Sequence, residues 1–347
     1  NIVIAAGPRP FVPPLPGLEE TGYLTSDTLW DAFADRDHLP ARLAILGGGP
    51  IGCELAQAFA RLGVSVSLIE MAPRLLLRED DDVSAFARAR LEQDGVQVLT
   101  GHRAVCCGHT ANHKWIETEA DGKTHRILCD DLIVAVGRAP RLQGYGLEAL
   151  GIPTGKVVET NDYLETIYPN IFAAGDVAGP YQFTHAAAHQ AWFATVNALF
   201  GFVRRFRIDY RVMPATTFTD PEIARVGLTE AEARASGIAC EVTRYNIGDL
   251  DRAITDGAAH GFVKVLTTPG KDRILGATIV GEHAGDLLAE FVLAMKQGIG
   301  LNKILGTIHS YPTFAEANKF AAGEWRKAHV SPLALRLLAR LHDWRRG

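Results

Sequence analysis

The sequence predicts an α/β chain that closes with a separate α+β domain. Three observations predict it. An apolar run at residues 43–46 leads into Gly47-Gly48-Gly49-Pro50-Ile51-Gly52, a helical pattern at 50–62, a second apolar run at 64–69 and a terminal acid, Glu70. Strand and helix patterns go on alternating as far as Gly137. From Met213 to about Ala328 the pattern becomes strands (239–245, 261–266, 274–280) and helices (285–297, 313–327) without alternation.

Taken in order, residues 1–7 read as a buried strand ending in glycine, and Pro8, Pro10, Pro13, Pro14 and Pro16 as an extended connector. A chain that opens on a buried strand looks like the end of a domain whose beginning lies elsewhere. Residues 43–70 form a complete dinucleotide-binding βαβ unit, so the first domain is Rossmann-like. Gly47 permits the tight turn, Gly49 lets the backbone approach a pyrophosphate, and Gly52 lets helix and strand pack closely. Pro50 suits the first helical turn, whose exposed N–H groups and dipole favour phosphate. Glu70 can accept from both ribose hydroxyls and would oppose a 2′-phosphate, so NAD is expected rather than NADP.

Beyond Glu70 come a helix at 83–93, a strand at 96–99 and a hairpin region at 103–129 turning near Asp121-Gly122. A strand at 132–137 closes the unit, with Gly137 a further candidate cofactor contact. Residues 170–176 read as a strand ending in Gly175-Asp176, and an alanine-rich helix at 185–200 follows.

The 347 residues suffice for two or three domains, and 47% apolar with 22% charged residues describes a globular chain. A net charge of −5 gives no reason to expect nucleic acid. No apolar run approaches a membrane span. Five cysteines suggest reduced thiols and a cytoplasmic setting. Cys106-Cys107, placed between strands, and Cys53, on the glycine-turn helix, read as ordinary thiols. Residues 332–344 carry leucines at 333, 335, 337, 338 and 341 with arginines between; a helix packed on its own domain, or a frayed end, is expected over a membrane-surface helix.

Four segments in this order resemble the flavin-dependent pyridine nucleotide–disulfide oxidoreductases, which include dihydrolipoamide dehydrogenase, glutathione reductase and mercuric reductase. They are Ala5-Ala6-Gly7-Pro8-Arg9-Pro10, the glycine-turn unit, residues 166–176, and His309-Ser310-Tyr311-Pro312-Thr313-Phe314-Ala315-Glu316. The resemblance implies FAD and NAD as cofactors. It implies that Asp176, after Gly175, bonds a ribityl hydroxyl, unless it merely caps the next turn. It further implies that the helix start at Thr184-His185 faces the flavin pyrimidine, and that Glu54 lies beside the flavin ring. It divides the chain into a first flavin-domain segment with connector (1–40), an NAD domain (41–137), a second flavin-domain segment (138–212), a dimerisation domain (213–328) and a tail (329–347). The partner is then a second copy, with Glu316 reaching the partner's active site.

Two departures qualify the match. The family's first glycine turn and its C-x-x-x-x-C pair do not occur in the sequence, so the chain is expected to be the C-terminal part of such an enzyme. Tyr311 stands where the family's acid–base histidine belongs, while His309 keeps the preceding histidine position, as a catalytic or a structural group. Mercuric reductases also place tyrosine near this point, but their vicinal cysteines at the C-terminus are not matched by Asp343-Trp344-Arg345-Arg346-Gly347. Tyr311 is a substrate contact or an apolar filler with a satisfied hydroxyl. The expected function is an NADH-dependent flavoprotein oxidoreductase acting on a disulfide, a metal ion or another small acceptor; the alternative is a truncated, non-catalytic NAD-binding, dimerising module.

Overall fold

A computed structural model describes residues 1–347, except for the side chains of Pro332 and Ala334. Two compact units emerge: residues 1–78 with 87–210, and residues 79–86 with 211–347.

The first unit is built on a five-stranded parallel sheet. Its strand order is Leu24–Thr25, Asp131–Val134, Arg42–Leu46, Ser65–Glu70, Gln97–Thr100. Leu43, Ala44, Ile45, Leu68, Ile69, Leu132, Ile133 and Val134 are almost completely shielded, which explains their continuous apolar runs: a parallel strand covered on both faces has no polar side to show. The chain runs outward from Arg42–Leu46 through two strands and then returns to its other side with Asp131–Val134. The order therefore reverses at the carboxyl end of Arg42–Leu46, where the glycine turn sits and where sheets of this type bind ligands.

A three-stranded antiparallel sheet (Arg103–His109, Lys114–Ala120, Lys123–Cys129) shares a core with the parallel one through Cys107, Ile116 and Cys129. Region 103–129 thus contains two hairpins. The second turns at Asp121-Gly122, both at positive φ as a two-residue hairpin turn requires. The first has no glycine. There the Thr110 hydroxyl accepts from the amides of Asn112 and His113 and shapes the turn. Cys106 and Cys107 lie within a strand beside a bulge, not between strands as expected.

Ile2–Ile4 pairs in parallel with Ile171–Ala173 as a two-stranded sheet. The expected buried strand is buried only at Ile4, which packs into a cluster with Ile152, Val158 and Val177, while Ile2 and Val3 are exposed. Pro8–Pro10 forms a short ribbon with Arg138–Pro140.

The second unit is an antiparallel sheet ordered Pro214–Thr217, Glu222–Gly227, Ile274–Gly281, Phe262–Thr267, Glu241–Asn246. Helices Ala284–Gln297, Leu301–Leu305 and Glu316–Ala328 share its core around Phe291, Ala317, Ala321 and Trp325. The last of these was expected from residue 313. Regular helix starts at Glu316 because residues 313–315 form a turn in which the Thr313 amide donates to Glu316 Oε2 (3.3 Å). The strand Phe262–Thr267 is buried at every residue, Lys264 included. Residues 332–346 form a helix, but leucines 333, 335, 337, 338 and 341 are each 46–60% exposed, so the expected packing onto the domain is not found.

Candidate functional site

The glycine turn is held by contacts that leave little choice of residue. Gly47 has φ +115°, and a Cβ there would come within 2.5 Å of the Ala135 carbonyl oxygen. A Cβ on Gly52 would sit 1.8 Å from the Gly47 carbonyl oxygen. Gly49 differs: its φ is −78°, and nothing lies within 4 Å of where its Cβ would point. Neither backbone strain nor crowding by the chain demands glycine there, and open space lies where its side chain would point. Pro50 is the first helical residue of Pro50–Arg61, and the first intrahelical bond is Cys53 N–H to the Gly49 carbonyl (3.0 Å). The amides of Ile51 and Gly52 therefore lack an intrahelical acceptor and suit an anion. Gly137 has φ +136° with open space beside it.

Glu70 does more than its position at the strand end suggests. Gly48 N–H donates to its Oε2 (2.7 Å) and Ala72 N–H to its Oε1 (2.7 Å), so the carboxylate ties the glycine turn to the next loop. A carboxylate has about four acceptor positions, which leaves two for ribose hydroxyls. These groups fit a dinucleotide: open space at Gly49, unshared helix-start amides and an acid at the second strand's end. Glu70→Ala should weaken NADH binding at least about tenfold and also lower the melting temperature, because it orphans two backbone donors. Glu70→Gln keeps one acceptor oxygen and should melt between the two, with NADPH discrimination reduced in both variants. Titration and thermal unfolding of the three proteins check this.

Cys53 is an inert support. Burial, with the charges of Glu54 and Glu70 next, pushes its thiol up to about 12, and its S–H donates to the Gly48 carbonyl (3.5 Å). Glu54 is half-buried one residue further along the same helix.

In the segment 166–176, Gly175 has φ +80° and Asp176 is half-buried. Burial raises the Asp176 carboxyl above its usual range while Arg138 pulls it down. The following helix, Thr184–Phe200, has no side-chain cap, and its first return bond is Ala187 N–H to the Phe183 carbonyl (2.9 Å). The amides of Thr184, His185 and Ala186 therefore have no intrahelical acceptor, and the His185 ring stacks on Phe183 at 5.1 Å. Sequence reasoning missed Gln190. It is fully buried and fixes the whole loop: Oε1 accepts from the Gly175 amide (2.6 Å), while Nε2 donates to the Gly179 carbonyl (2.6 Å) and the Tyr210 hydroxyl (2.6 Å). Its signal was the helical stripe Ala186, Gln190, Ala194, Asn197, in which two polar residues alternate with alanines. The half-buried Asp176 and the helix start at Thr184, which has no side-chain cap, suit the ribityl and pyrimidine ends of FAD. The sequence holds one G-x-G-x-x-G turn, at 47–52, so these residues supply no second pyrophosphate cradle of that kind.

In the second unit Tyr311 and Glu316 line one groove of about 270 Å³ with Tyr245, Asp249, Asp251 and Phe320. Tyr311 is 71% exposed and its hydroxyl donates to Asp251 Oδ2 (2.9 Å). That hydrogen bond, and the Asp251 charge behind it, raise the phenol above its ordinary value. Tyr245 is pushed up to about 12 by burial and then by Asp249 and Asp251. Both phenols thus stay protonated at neutral pH. His309 does not line the groove. Its Nε2 lies 3.0 Å from Glu290 Oε1 and its Nδ1 3.1 Å from the Thr307 carbonyl oxygen, so both ring nitrogens are engaged. Asn318 in turn donates to Glu290 Oε2 (3.0 Å).

Residues 1–191 match the family described as "Pyridine nucleotide-disulphide oxidoreductase", and residues 213–322 match its dimerisation domain. A dihydrolipoyl dehydrogenase from Thermus scotoductus is 36% identical over 95% of this chain and 71% of its own length. A mercuric reductase from Staphylococcus aureus is 35% identical over 93% of this chain, which spans only 58% of that relative. Among solved structures, the HOCl-induced flavoprotein disulfide reductase RclA from Escherichia coli aligns with a TM-score of 0.83 at 28% identity, over 93% of this chain and 73% of that one. The Rossmann-like first unit and the sheet-rich dimerisation domain are those of this fold, and the family uses FAD and NAD(P)H. The chain belongs to the pyridine nucleotide-disulphide oxidoreductase family.

Proposed function

We propose that this chain carries the NADH-binding and dimerising parts of an NADH-dependent flavoprotein oxidoreductase that reduces a disulfide, a metal ion or another small acceptor. The observation that carries the reading is the turn at 47–52, open at Gly49 and closed by Glu70. Gly47, Gly49, Pro50 and Gly52 would seat the NADH pyrophosphate, with Glu70 on the ribose and Gly137 alongside. Asp176 and the helix start at Thr184 and His185 would hold FAD, with Glu54 beside it. Bound FAD supplies a two-electron relay between NADH and the acceptor. The protein is proposed to work as a cytoplasmic homodimer through residues 213–328, Glu316 and Tyr311 serving the partner's site. The boundaries 1–40, 41–137, 138–212, 213–328 and 329–347 belong to the same proposal.

Tyr311 decides which acceptor is favoured. Reducing a disulfide with NADH consumes one further proton and makes two thiols, so a group must exchange protons with a thiol near neutral pH. A phenol is about three pH units from that range, roughly 4 kcal/mol of mismatch, and its bond to Asp251 takes it further away. A soft metal ion or a one-electron acceptor needs no such base. One RclA structure is a Cu(II) complex, which keeps the metal alternative in view. In the FAD-containing protein, NADH oxidation should be faster with a soft metal ion than with lipoamide, and Tyr311→His should raise lipoamide turnover at least about tenfold. Steady-state assays on parent and variant test this. Brisk lipoamide turnover with Tyr311 intact would overturn the acceptor assignment.

A further inference from the structure

The helix Pro332–Arg346 is absorbed by none of these roles. At 100° per residue, Leu333, Leu337, Leu341 and Trp344 form one stripe, widened by Leu338; Leu335 alone falls outside it. Each of these leucines is about half exposed and Trp344 is 79% exposed. Arg336 and Arg340 border the stripe on one side, and Arg345 falls between Leu341 and Leu338. Residues 332–347 hold four arginines and one aspartate, a charge of +3, against −5 for the chain. The remaining residues therefore sum to −8, the difference between those two values.

We propose that this helix docks the protein on an anionic lipid surface. It would lie in the interfacial plane with its leucines and Trp344 at the acyl boundary and its arginines at the phosphates. Charge complementarity selects this occupant. An anionic surface attracts the tail and repels the acidic body, so contact is confined to the helix. A leucine and tryptophan stripe bordered by arginines is the composition of interfacial helices, in which apolar burial and phosphate attraction act together. Pairing with the tail of a second copy would instead set +3 against +3. No described helix is long and apolar enough to cross a membrane, so the attachment would be peripheral.

Vesicle flotation of the 347-residue protein tests the proposal. The probes are phosphatidylcholine vesicles with and without about one-third phosphatidylglycerol. The parent should float with the anionic vesicles, remain largely in solution with neutral ones, and be released as salt rises from roughly 0.05 to 0.5 M. Arg336→Gln with Arg340→Gln should weaken binding about 25-fold, at roughly fivefold per arginine. Leu337→Gln with Leu341→Gln should abolish it, while circular dichroism and melting show the body intact. Equal binding to neutral vesicles, full binding by the leucine variant, or full binding by a chain ending at residue 330 would overturn the proposal. So would failure to float combined with a fall in sedimenting mass in the leucine variant, which would assign the stripe to a second copy.

Discussion

Lys264→Met should destabilise the second unit by about 3–5 kcal/mol, the cost of leaving buried charge without its partner. The Lys264 side chain is 1% exposed in the middle of a fully buried strand. Its ammonium donates to Asp80 Oδ2 (2.8 Å), Asp82 Oδ1 (2.8 Å) and Glu230 Oε1 (2.9 Å), one proton for each carboxylate. The Asp80 carboxylate also accepts from the amides of Glu230 and Ala231, and so binds residues 79–86 to the helix Glu230–Ala235. Removing the ammonium leaves Asp80 buried and anionic. Burial by itself lowers the Lys264 pKa, but its three carboxylates outweigh that and raise it to about 12. Burial likewise pushes Asp80 up, and the Lys264 bond with the two amides holds it below its usual range. The signs fix two pH windows. A raised lysine contributes stability that is complete below its unfolded value near 10.4 and is lost as pH rises through about 12. A depressed aspartate contributes stability present above about 3.9 and lost as pH falls through its lower folded value. Urea unfolding across pH should show a plateau with both edges in the parent and no alkaline edge from this group in Lys264→Met. A variant as stable as the parent at pH 7 would contradict the assignment.

Gly52→Ala and Gly49→Ala should both abolish NADH binding, for opposite reasons. At Gly52 the added carbon meets the Gly47 carbonyl oxygen at 1.8 Å, backbone against backbone, so the helix must shift away from the strand. Overpacking of that kind costs about 1–3 kcal/mol and displaces the amides of Ile51 and Gly52 as well. At Gly49 the backbone already has an L-compatible φ and nothing lies within 4 Å, so the fold should lose less than about 1 kcal/mol, the scale of an N-cap exchange. Its methyl group would instead fill the space where a phosphate must approach, with an expected affinity loss of at least about 100-fold. Calorimetric melting beside NADH titration separates the two: Gly52→Ala loses both stability and ligand, Gly49→Ala only ligand. Tight NADH binding by Gly49→Ala would mean that the open space serves something else.

The parts of this molecule that were legible in the sequence are those written in consecutive residues. The turn at 47–52 announces itself because Gly47 and Gly52 answer local backbone demands, and Asp121-Gly122 because two positive φ values need those residue types. The illegible parts depend on partners far along the chain. Glu70 looked like a free ribose acceptor, and its two backbone donors carry no residue signature. Gln190 lies on a visible helical stripe, but Gly179 and Tyr210 become its partners only in the fold. Tyr311 stands out in the sequence as a tyrosine at the family's histidine position, while Asp251, the acceptor of its hydroxyl, lies sixty residues away. Lys264 sits in a strand pattern that leaves no place for a charge, and two of its partners are more than 180 residues earlier. At the tail the leucine spacing gave the helix, but spacing alone could not show whether that face meets protein or solvent.

Titration of the 347-residue protein with NADH and, separately, NADPH tests the account most directly. One NADH per chain should bind, with NADPH at least about tenfold weaker because its 2′-phosphate meets the Glu70 carboxylate. Failure to bind NADH, or tighter binding of NADPH, would contradict the assignment of the turn at 47–52 and of Glu70 as the NADH site.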